Sequence, residues 1–287
     1  MSNHLAERQI NVDGIALNYK PWPVGQDKLA GEGAPIIILH GWGSSSEAWT
    51  KTVEHFPPRG YRICVLDLPG FGQSDPPPRP WGVSDYACCV ARFAEALSME
   101  RFFLIGHSFG GRISIRLTIL HPERLLGLVL CASAGIKPKP TLKQMGLLVL
   151  AKVGHALLSL PVLKALQETA RKGLYFAAGE WDYYRSQGVM RDTIKRVLEE
   201  DLKPDLGKIV TPTLILWGRE DQITPLSDAY TMKDEIPNAA LEIVEGAGHR
   251  LPYEKPEIFA YLVLTFIVKL YGVQPQGCLS GLATALQ

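Results

Sequence analysis

Residues 102–110 have the sequence Phe-Phe-Leu-Ile-Gly-His-Ser-Phe-Gly, an apolar run that leads into a glycine-rich turn around Ser108. The apolar run predicts a buried strand, and residues 112–120 carry apolar side chains at the spacing of a helix. A turn this tight strains the serine backbone and brings its neighbours close to the next strand and helix. Gly106 and Gly110 relieve the crowding because glycine has no Cβ. The sequence therefore predicts a strand, a sharp turn and a helix that expose the Ser108 hydroxyl at the carboxyl end of the strand.

The turn matches the pattern Gly-x-Ser-x-Gly, which between a strand and a helix is known as the nucleophile elbow. A five-residue match also occurs in ordinary Gly/Ser turns, so the pattern alone does not identify a nucleophile. The strand before it and the helix after it are the context that the motif requires. Ser108 is therefore a candidate nucleophile whose identification depends on a base and an acid elsewhere in the chain.

Apolar strands and helices alternate along the chain on both sides of this turn. Predicted strands lie at 36–39, 61–66, 102–105, 125–132, 213–217 and 241–244, and predicted helices at 47–55, 84–97, 112–120, 226–236 and 256–270, with Ser84 as the N-cap of the second helix. This alternation indicates crossover connections and a parallel sheet covered on both faces. Residues 9–20 alternate around Asp13-Gly14, a hairpin signal that adds an antiparallel edge. The predicted fold class is α/β, with a mostly parallel, doubly wound sheet of eight strands.

Residues 136–208 interrupt the alternation. They contain no predicted strand, and their short helices at 147–158, 162–170 and 193–202 are separated by Gly or Pro. We interpret this segment as a helical cap inserted into a core domain that is formed by residues 1–135 and 209–271. Residues 272–287 are rich in small side chains, a composition typical of a disordered C-terminal tail.

The composition is that of a soluble globular protein of 287 residues, with 46% hydrophobic and 21% charged residues. The 30 Lys+Arg and 29 Asp+Glu residues leave a formal charge of +1, which gives no electrostatic reason to expect nucleic acid or an anionic membrane as a partner. No uncharged apolar run reaches the roughly 18 residues needed to span a bilayer, and the N-terminus has no signal-peptide core. We expect a cytoplasmic protein without stable membrane insertion, and the sequence does not indicate an oligomeric state.

The five cysteines have neither the spacing of a disulfide framework nor that of a zinc site. The sequence also contains no phosphate loop, metal-ligand cluster or haem motif. We therefore expect free thiols and a reaction that needs neither a metal nor a cofactor.

Two later segments place an acid and a histidine directly after predicted strands. Asp221 follows the strand at 213–217, in Trp-Gly-Arg-Glu-Asp, and His249 follows the strand at 241–244, in Gly-Ala-Gly-His. The carboxyl ends of parallel strands open at one edge of a sheet, so both side chains can converge on Ser108. A serine hydroxyl needs a base that is itself oriented by a third group. The sequence order serine, acid, histidine is the one expected for this architecture.

Other residues compete with these or have simpler roles. Glu220 is an alternative acid because it adjoins Asp221. We expect His40 to form hydrogen bonds within its own loop, His107 to anchor the turn beside the serine, and Asp67 to stabilise a loop.

On these motifs the chain resembles the α/β-hydrolase fold family, in the branch with a serine nucleophile and a helical cap, over residues 10–270. The resemblance implies that Ser108 is the nucleophile and His249 the general acid and base. It implies that Asp221 is the carboxylate that orients the imidazole. The expected function follows from this resemblance together with the residues themselves.

Two backbone N–H groups are expected to form an oxyanion hole. Phe109, the residue after the nucleophile, supplies one of them, and the resemblance assigns the other to Trp42, in His-Gly-Trp-Gly. This sequence departs from the His-Gly-Gly-Gly type, and the large side chain argues against esters of bulky tertiary alcohols. Candidate substrate-binding residues are Trp42, His107, Met145, Phe176, Trp181 and Tyr184. Those in the inserted segment can equally be packing between cap helices.

We expect a serine hydrolase that cleaves small to medium, largely uncharged carboxylic esters through an acyl-enzyme, with a small-molecule ester and water as its reactants. Carbon–carbon bond hydrolases and cofactor-free haloperoxidases share the same three side chains and stay open, as does a small-molecule receptor without turnover. Relatives with an aspartate nucleophile are disfavoured because residue 108 is serine. A dinucleotide-binding oxidoreductase is disfavoured because Gly41-x-Gly43 lacks the third glycine of that motif, with Ser46 in its place.

Overall fold

Eight strands form one mixed sheet in the computed structural model, which describes residues 7–23, 33–137 and 186–272. The strands are β1 (Arg8–Val12), β2 (Ile15–Trp22), β3 (Gly33–Leu39), β4 (Gly60–Leu66), β5 (Phe102–His107), β6 (Leu125–Cys131), β7 (Thr213–Gly218) and β8 (Ala239–Val244). Their order across the sheet is β1-β2-β4-β3-β5-β6-β7-β8. The strands from β3 to β8 are parallel, whereas β2 is antiparallel to both of its neighbours. The predicted α/β class with a mostly parallel, eight-stranded sheet is confirmed.

The hairpin between β1 and β2 turns at Asp13 and Gly14, whose φ angles are 52° and 84°. A two-residue hairpin turn with positive φ at both positions favours Asp-Gly, because glycine adopts positive φ without steric cost and aspartate tolerates it. Val12 pairs with Ile15 directly across the turn. The hairpin predicted from this dipeptide is therefore present, at the edge of the sheet.

Helices cover both faces of the sheet. They are α1 (Thr50–Val53), α2 (Val83–Ala96), α3 (Phe109–Leu120), α4 (Gly188–Glu199), α5 (Leu226–Glu235), α6 (Leu251–Glu254) and α7 (Pro256–Tyr271), with 3-10 turns at Ser46–Trp49, Pro122–Arg124 and Lys203–Lys208. The side chains of β3 point alternately to the two faces of the sheet. Ile37 packs with α2 and α3 on one face, and Ile36 packs with α1 and α7 on the other. Because both faces are buried, the central strands are continuous apolar runs rather than alternating ones.

The helix starts are where the structure departs most from the sequence pattern. The N-cap of α2 is Gly82 rather than the predicted Ser84. The N–H of Gly82 donates to Oδ2 of Asp85 at 2.9 Å, so the aspartate at the third helical position stabilises the start and leaves the serine inside the first turn. Similarly, α3 begins at Phe109, directly after the turn, and not at residue 112.

The helix α4 ends against α3. Arg112 of α3 is 3% exposed, and its guanidinium donates to the carbonyl oxygens of Val197 and, at 2.7 Å, Glu200. The last carbonyls of a helix lack partners within the helix and carry partial negative charge, so a buried cation satisfies them. Nearby, the N–H of Lys137 donates to Oδ1 of Asp201 at 3.1 Å. These contacts join residue 137 to residue 201, and the end of α4 to α3.

Residues 138–185 and 273–287 lie outside the described part of the chain. Two predicted helices, at 147–158 and 162–170, fall there, together with the candidate residues Met145, Phe176, Trp181 and Tyr184. The division into a core and a cap at 136–208, and the tail from 272, therefore stay predictions. Among the described helices, none has the length and apolar character required to cross a bilayer.

Candidate active site

Ser108 lies in the turn between β5 and α3, with φ 53° and ψ −113°. A positive φ is uncommon outside glycine, and such strain is concentrated at functional sites. A Cβ added to Gly106 would lie 2.4 Å from Oγ of Ser114, and one added to Gly110 would lie 2.3 Å from the carbonyl oxygen of Leu39. The crowding that the sequence predicts at this turn is therefore present at both glycines.

We expect Gly110→Ala to destabilise the protein by about 3 kcal/mol, the upper end of typical overpacking costs. The reason is that the oxygen in the way belongs to the backbone of the central strand β3. Gly207→Ala is the matched control, because its added Cβ meets nothing closer than 3.7 Å, and we expect a change within about 0.5 kcal/mol. Equilibrium unfolding in urea measures both variants, and equal stabilities would contradict the crowding at Gly110.

His249 and Asp221 form a hydrogen-bonded pair in the loops that follow β8 and β7. Nδ1 of His249 lies 2.9 Å from Oδ2 of Asp221. Oδ1 of the same carboxylate accepts the backbone N–H groups of Ile223 at 2.8 Å and Thr224 at 2.9 Å. A carboxylate only accepts hydrogen bonds, so Nδ1 carries the imidazole proton. In the neutral form of this imidazole, the lone pair is on Nε2, where it can take a proton.

The contacts of Asp221 hold it in the ionised form. The residue is 8% exposed, and burial alone raises the pKa of a carboxyl group. The hydrogen bond and charge of His249, the hydroxyl of Thr224 and the N–H of Ile223 outweigh burial, so the pKa of Asp221 lies below its ordinary value. Asp221 is thus a carboxylate at neutral pH, as an acid that orients an imidazole must be.

Glu220, the alternative acid, binds the backbone of the loop after β8. Its carboxylate accepts the N–H groups of Gly246 at 3.1 Å and Ala247 at 2.9 Å, and its own N–H donates to the carbonyl oxygen of Ala247 at 3.0 Å. Glu220 therefore fixes the loop that carries His249, while Asp221 is the partner of the imidazole.

His107 connects the turn of Ser108 to the loop of His249. It is 4% exposed, and its Nε2 donates to the backbone carbonyl oxygen of His249 at 2.8 Å. The two imidazole rings lie 5.0 Å apart, centroid to centroid. This contact holds the loop of His249 against the residue next to Ser108. For His107 it favours the expected anchoring role over contact with a substrate.

Protonation of His107 should cost stability at acidic pH. Burial, with a smaller contribution from the neighbouring His249, lowers the pKa of His107 from 6.5 to about 4. Between these values the unfolded chain binds more protons than the folded protein, so the stability present above pH 6.5 is lost as the pH falls towards 4. This group should account for a loss of about 2 kcal/mol between pH 7 and pH 5.

We therefore expect His107→Gln to flatten the pH dependence of stability by that amount. Urea unfolding at pH 7 and pH 5 measures it. His121→Gln, at a histidine whose side chain is 39% exposed, is the control and should keep the wild-type difference between the two pH values. The same difference in His107→Gln as in the wild type would count against the buried, neutral imidazole.

The loop after β3 lies against the turn of Ser108. A Cβ on Gly41 would come within 3.3 Å of Cβ of Ser108 and 3.2 Å of Nδ1 of His107. His40, fully buried, fixes this loop: its Nδ1 donates to the carbonyl oxygen of Gly41 at 2.7 Å and its Nε2 accepts the N–H of Leu68 at 3.0 Å. Burial lowers the pKa of His40, which favours the neutral tautomer that these two partners require.

The backbone N–H groups of Trp42 and Phe109 belong to the residues that follow Gly41, which lies against Ser108, and Ser108 itself. In residues 7–23, 33–137 and 186–272, no acceptor is hydrogen-bonded to either group. The ring of Trp42 lies 5.0 Å from that of Phe109 and 4.8 Å from that of Phe71. Two potential donors to an anion thus lie next to a cluster of aromatic rings.

Thr224 is a site residue that the sequence reasoning missed. Its Oγ1 lies 2.7 Å from Oδ2 of Asp221 and 3.2 Å from Nδ1 of His249. The available signal was a threonine three residues after the acid, since Ser and Thr hydroxyls often bond to groups within their own turn.

The cysteines of the described ranges are free thiols, at Cys64, Cys88, Cys89 and Cys131. Burial raises the pKa of Cys64 and of Cys89 to about 12, so neither is a thiolate at neutral pH. In the same ranges, no three His, Cys, Asp or Glu side chains are grouped so as to hold a metal ion.

Comparison with known proteins identifies the family. The sequence profile described as alpha/beta hydrolase fold matches residues 34–157 and 163–256. The protein belongs to the α/β-hydrolase fold family. The mostly parallel, eight-stranded sheet of this α/β-hydrolase and the sharp turn of Ser108 after β5 agree with membership of the family.

Relatives of this α/β-hydrolase are named for different reactions. The 2-hydroxy-6-oxo-6-phenylhexa-2,4-dienoate hydrolase of Comamonas testosteroni is 29% identical over 262 residues, 83% of this chain and 89% of the relative. The non-heme chloroperoxidase of Streptomyces lividans is 28% identical over 273 residues, 89% of this chain and 97% of the relative. The crystal structure of a membrane phospholipase A has a TM-score of 0.71 at 26% identity and covers 94% of this chain and 87% of its own. Membership of the family establishes a hydrolase fold and leaves the choice of bond open.

Proposed function

We propose that the protein is a serine hydrolase that cleaves small to medium, largely uncharged carboxylic esters through an acyl-enzyme. The proposal rests on the 2.9 Å hydrogen bond between His249 and Asp221, in a loop that His107 ties to the turn of Ser108. A serine in a strained turn, a histidine with its lone pair on Nε2 and an ionised acid are the groups that nucleophilic catalysis needs.

In the first half-reaction, Oγ of Ser108 attacks the ester carbonyl carbon while Nε2 of His249 takes the hydroxyl proton. The carbon–oxygen bond to the alcohol breaks, and the imidazolium returns its proton to the leaving oxygen. Asp221 stabilises the imidazolium without taking a proton. In the second half-reaction, His249 takes a proton from water, which attacks the acyl carbon. The bond from this carbon to Oγ of Ser108 breaks, the imidazolium returns its proton to Oγ, and the carboxylic acid is released.

The N–H groups of Trp42 and Phe109 are the proposed donors to the oxyanion that forms in each half-reaction. Removal of one such donor typically raises the barrier by about 2.7–4 kcal/mol. The side chain of Trp42 occupies space that a glycine would leave open. We therefore propose that it selects against esters of bulky tertiary alcohols.

We also propose that residues 136–208 form a helical cap on a core of residues 1–135 and 209–271. The position of α4 supports this division, because α4 ends against Arg112, one turn after Ser108 in α3. Within the cap, we assign an apolar surface for the substrate to Met145, Phe176, Trp181 and Tyr184.

A carbon–carbon bond hydrolase is the second candidate, favoured by the relative from Comamonas testosteroni. The same three side chains serve both reactions, and also that of a haloperoxidase like the Streptomyces lividans relative. A dienoate carries a carboxylate, whose binding favours a cation in the site. Arg112, the cation nearest in sequence to Ser108, is buried and donates to carbonyl oxygens of α4.

Two measurements on the wild-type protein test the proposal. Incubation with a fluorophosphonate, followed by mass spectrometry of the peptides, should place one adduct on Ser108. Values of kcat/KM for a short p-nitrophenyl ester and for a vinylogous dienoate diketone then separate the two reactions. A higher value for the diketone would assign carbon–carbon hydrolysis to the same residues, and absence of both adduct and turnover would overturn the serine-hydrolase proposal.

A further inference from the structure

The hydroxyl of Thr224 lies between the acid and the histidine. Its Oγ1 is 2.7 Å from Oδ2 of Asp221, 3.2 Å from Nδ1 of His249 and 3.3 Å from the carbonyl oxygen of Ala132. Thr224 is 8% exposed, so its partners are protein groups rather than bulk solvent. A hydroxyl donates one proton, and the shortest contact, to an ionised acceptor, is the strongest of the three.

Asp221 consequently accepts four hydrogen bonds. Oδ1 accepts two backbone N–H groups, and Oδ2 accepts both the imidazole of His249 and the hydroxyl of Thr224. A second donor on Oδ2 draws negative charge away from the imidazole and thereby weakens the stabilisation of the imidazolium form. It also fixes the plane of the carboxylate, because rotation would break all four bonds.

The contact with Ala132 connects the same hydroxyl to the turn of the nucleophile. Ala132 follows β6 directly, and two residues later the N–H of Ala134 donates to the carbonyl oxygen of Ser108 at 3.0 Å. Thr224 therefore packs the loop of the acid against the strand end that supports the turn. The threonine thus contacts Asp221 and His249 directly and is connected to Ser108 only through residues 132–134.

We infer that Thr224 is a positioning residue for the proposed ester hydrolysis, which orients the carboxylate of Asp221 and restrains the basicity of His249. The inference rests on the proposed function and extends it to a residue that touches no reacting atom. A threonine with a merely structural role would affect stability, and it would leave unchanged the pH at which activity appears.

Several other titratable or charged groups face this pair. They are His107 of β5, Cys131 of β6, Asp228 of α5 with the neighbouring Lys203, and Glu220 and Glu254, which accept N–H groups from the loop of His249. Asp228 matters most for a pH profile. Burial and the charge of Asp221 raise the pKa of Asp228 to about 6, within the range in which histidines titrate. The effect of Asp228 on the pH profile of activity must therefore be separated from the effect of the Thr224 hydroxyl.

The test compares Thr224→Val, which removes the hydroxyl at similar volume, with Thr224→Ser, which keeps it. For Thr224→Val we expect kcat on the p-nitrophenyl ester to fall about 5- to 10-fold. The acidic limb of the kcat/KM profile should move upward by about 0.5–1 pH unit. Thr224→Ser should keep the wild-type limb. The same upward shift should occur when Thr224→Val is made in an Asp228→Asn background, relative to Asp228→Asn alone.

An acidic limb at the wild-type position in Thr224→Val would overturn the inference, and so would a shift that disappears in the Asp228→Asn background. Urea unfolding checks that the variants are folded, and Thr224→Ala replaces Thr224→Val if the latter is not. Failure of the proposed function has a different signature. Absence of both a fluorophosphonate adduct on Ser108 and turnover in the wild type would overturn both proposals, whereas an adduct together with an unmoved limb would overturn the role of Thr224 alone.

Discussion

Ser108→Ala is expected to lower kcat for ester hydrolysis by about 10⁵- to 10⁶-fold. The substitution removes the oxygen that forms the acyl bond and retains the Cβ. The carbonyl group of residue 108 still accepts the N–H groups of Arg112 and Ala134, so the turn keeps its packing. The activity that remains would come from binding and from the oxyanion donors.

Release of p-nitrophenol under substrate saturation measures this loss. Ser227→Ala is the matched control, since Ser227 is an exposed serine on α5, and it should keep the wild-type kcat. Urea unfolding should give closely similar stabilities for both variants. A loss of less than about 100-fold in Ser108→Ala, far below the expected range, would contradict a nucleophilic role.

Asp221→Asn is expected to lower kcat by about 10⁴-fold with little change in structure. The Oδ1 position accepts the N–H groups of Ile223 and Thr224, and only the amide oxygen of asparagine can do so. The NH₂ group must then face Nδ1 of His249. Because NH₂ donates, Nδ1 must accept, and the imidazole proton moves to Nε2, where a lone pair is needed. The expected cause of the loss is therefore the wrong tautomer.

The same saturation assay measures kcat for Asp221→Asn. Asp228→Asn is the control for Asp221→Asn. It removes a carboxyl group whose pKa is affected by the charge of Asp221. The loss of this neighbouring charge should change kcat only a few-fold. A loss of less than about tenfold in Asp221→Asn would show that His249 does not depend on this carboxylate.

The elements around Ser108 could be predicted because their determinants are local. Strand β5, the turn and α3 are encoded within residues 102–120 by an apolar run, two glycines and a helical spacing. The Asp13-Gly14 hairpin is equally local. The N-cap at Gly82 could not be predicted in this way, because the first turn of α2 also depends on a distant residue: the N–H of Val83 donates to Oε1 of Glu200, 117 positions away.

The candidate site shows the same difference between predictable and unpredictable features. The positions of Asp221 and His249 follow from a rule of parallel sheets, since all strand ends open at one edge. Their contacts depend on loop conformations that no local pattern encodes. The hydrogen bond from His107 to His249 joins residues 142 positions apart. Adjacent acids at 220 and 221 are alike in sequence, and only the folded loop assigns one to the backbone and the other to the imidazole.

The contacts on either side of residues 138–185 have a consequence for protein engineering. The N–H of Lys137 donates to Asp201, and the guanidinium of Arg112 donates to carbonyl oxygens at the end of α4. None of these contacts involves residues 138–185. An insert of another length or origin can therefore be grafted between the same two junctions while the spacing between the elbow and α4 is retained. Under the proposed division into core and cap, exchange of this segment would change the substrate range and leave Ser108, Asp221 and His249 in place.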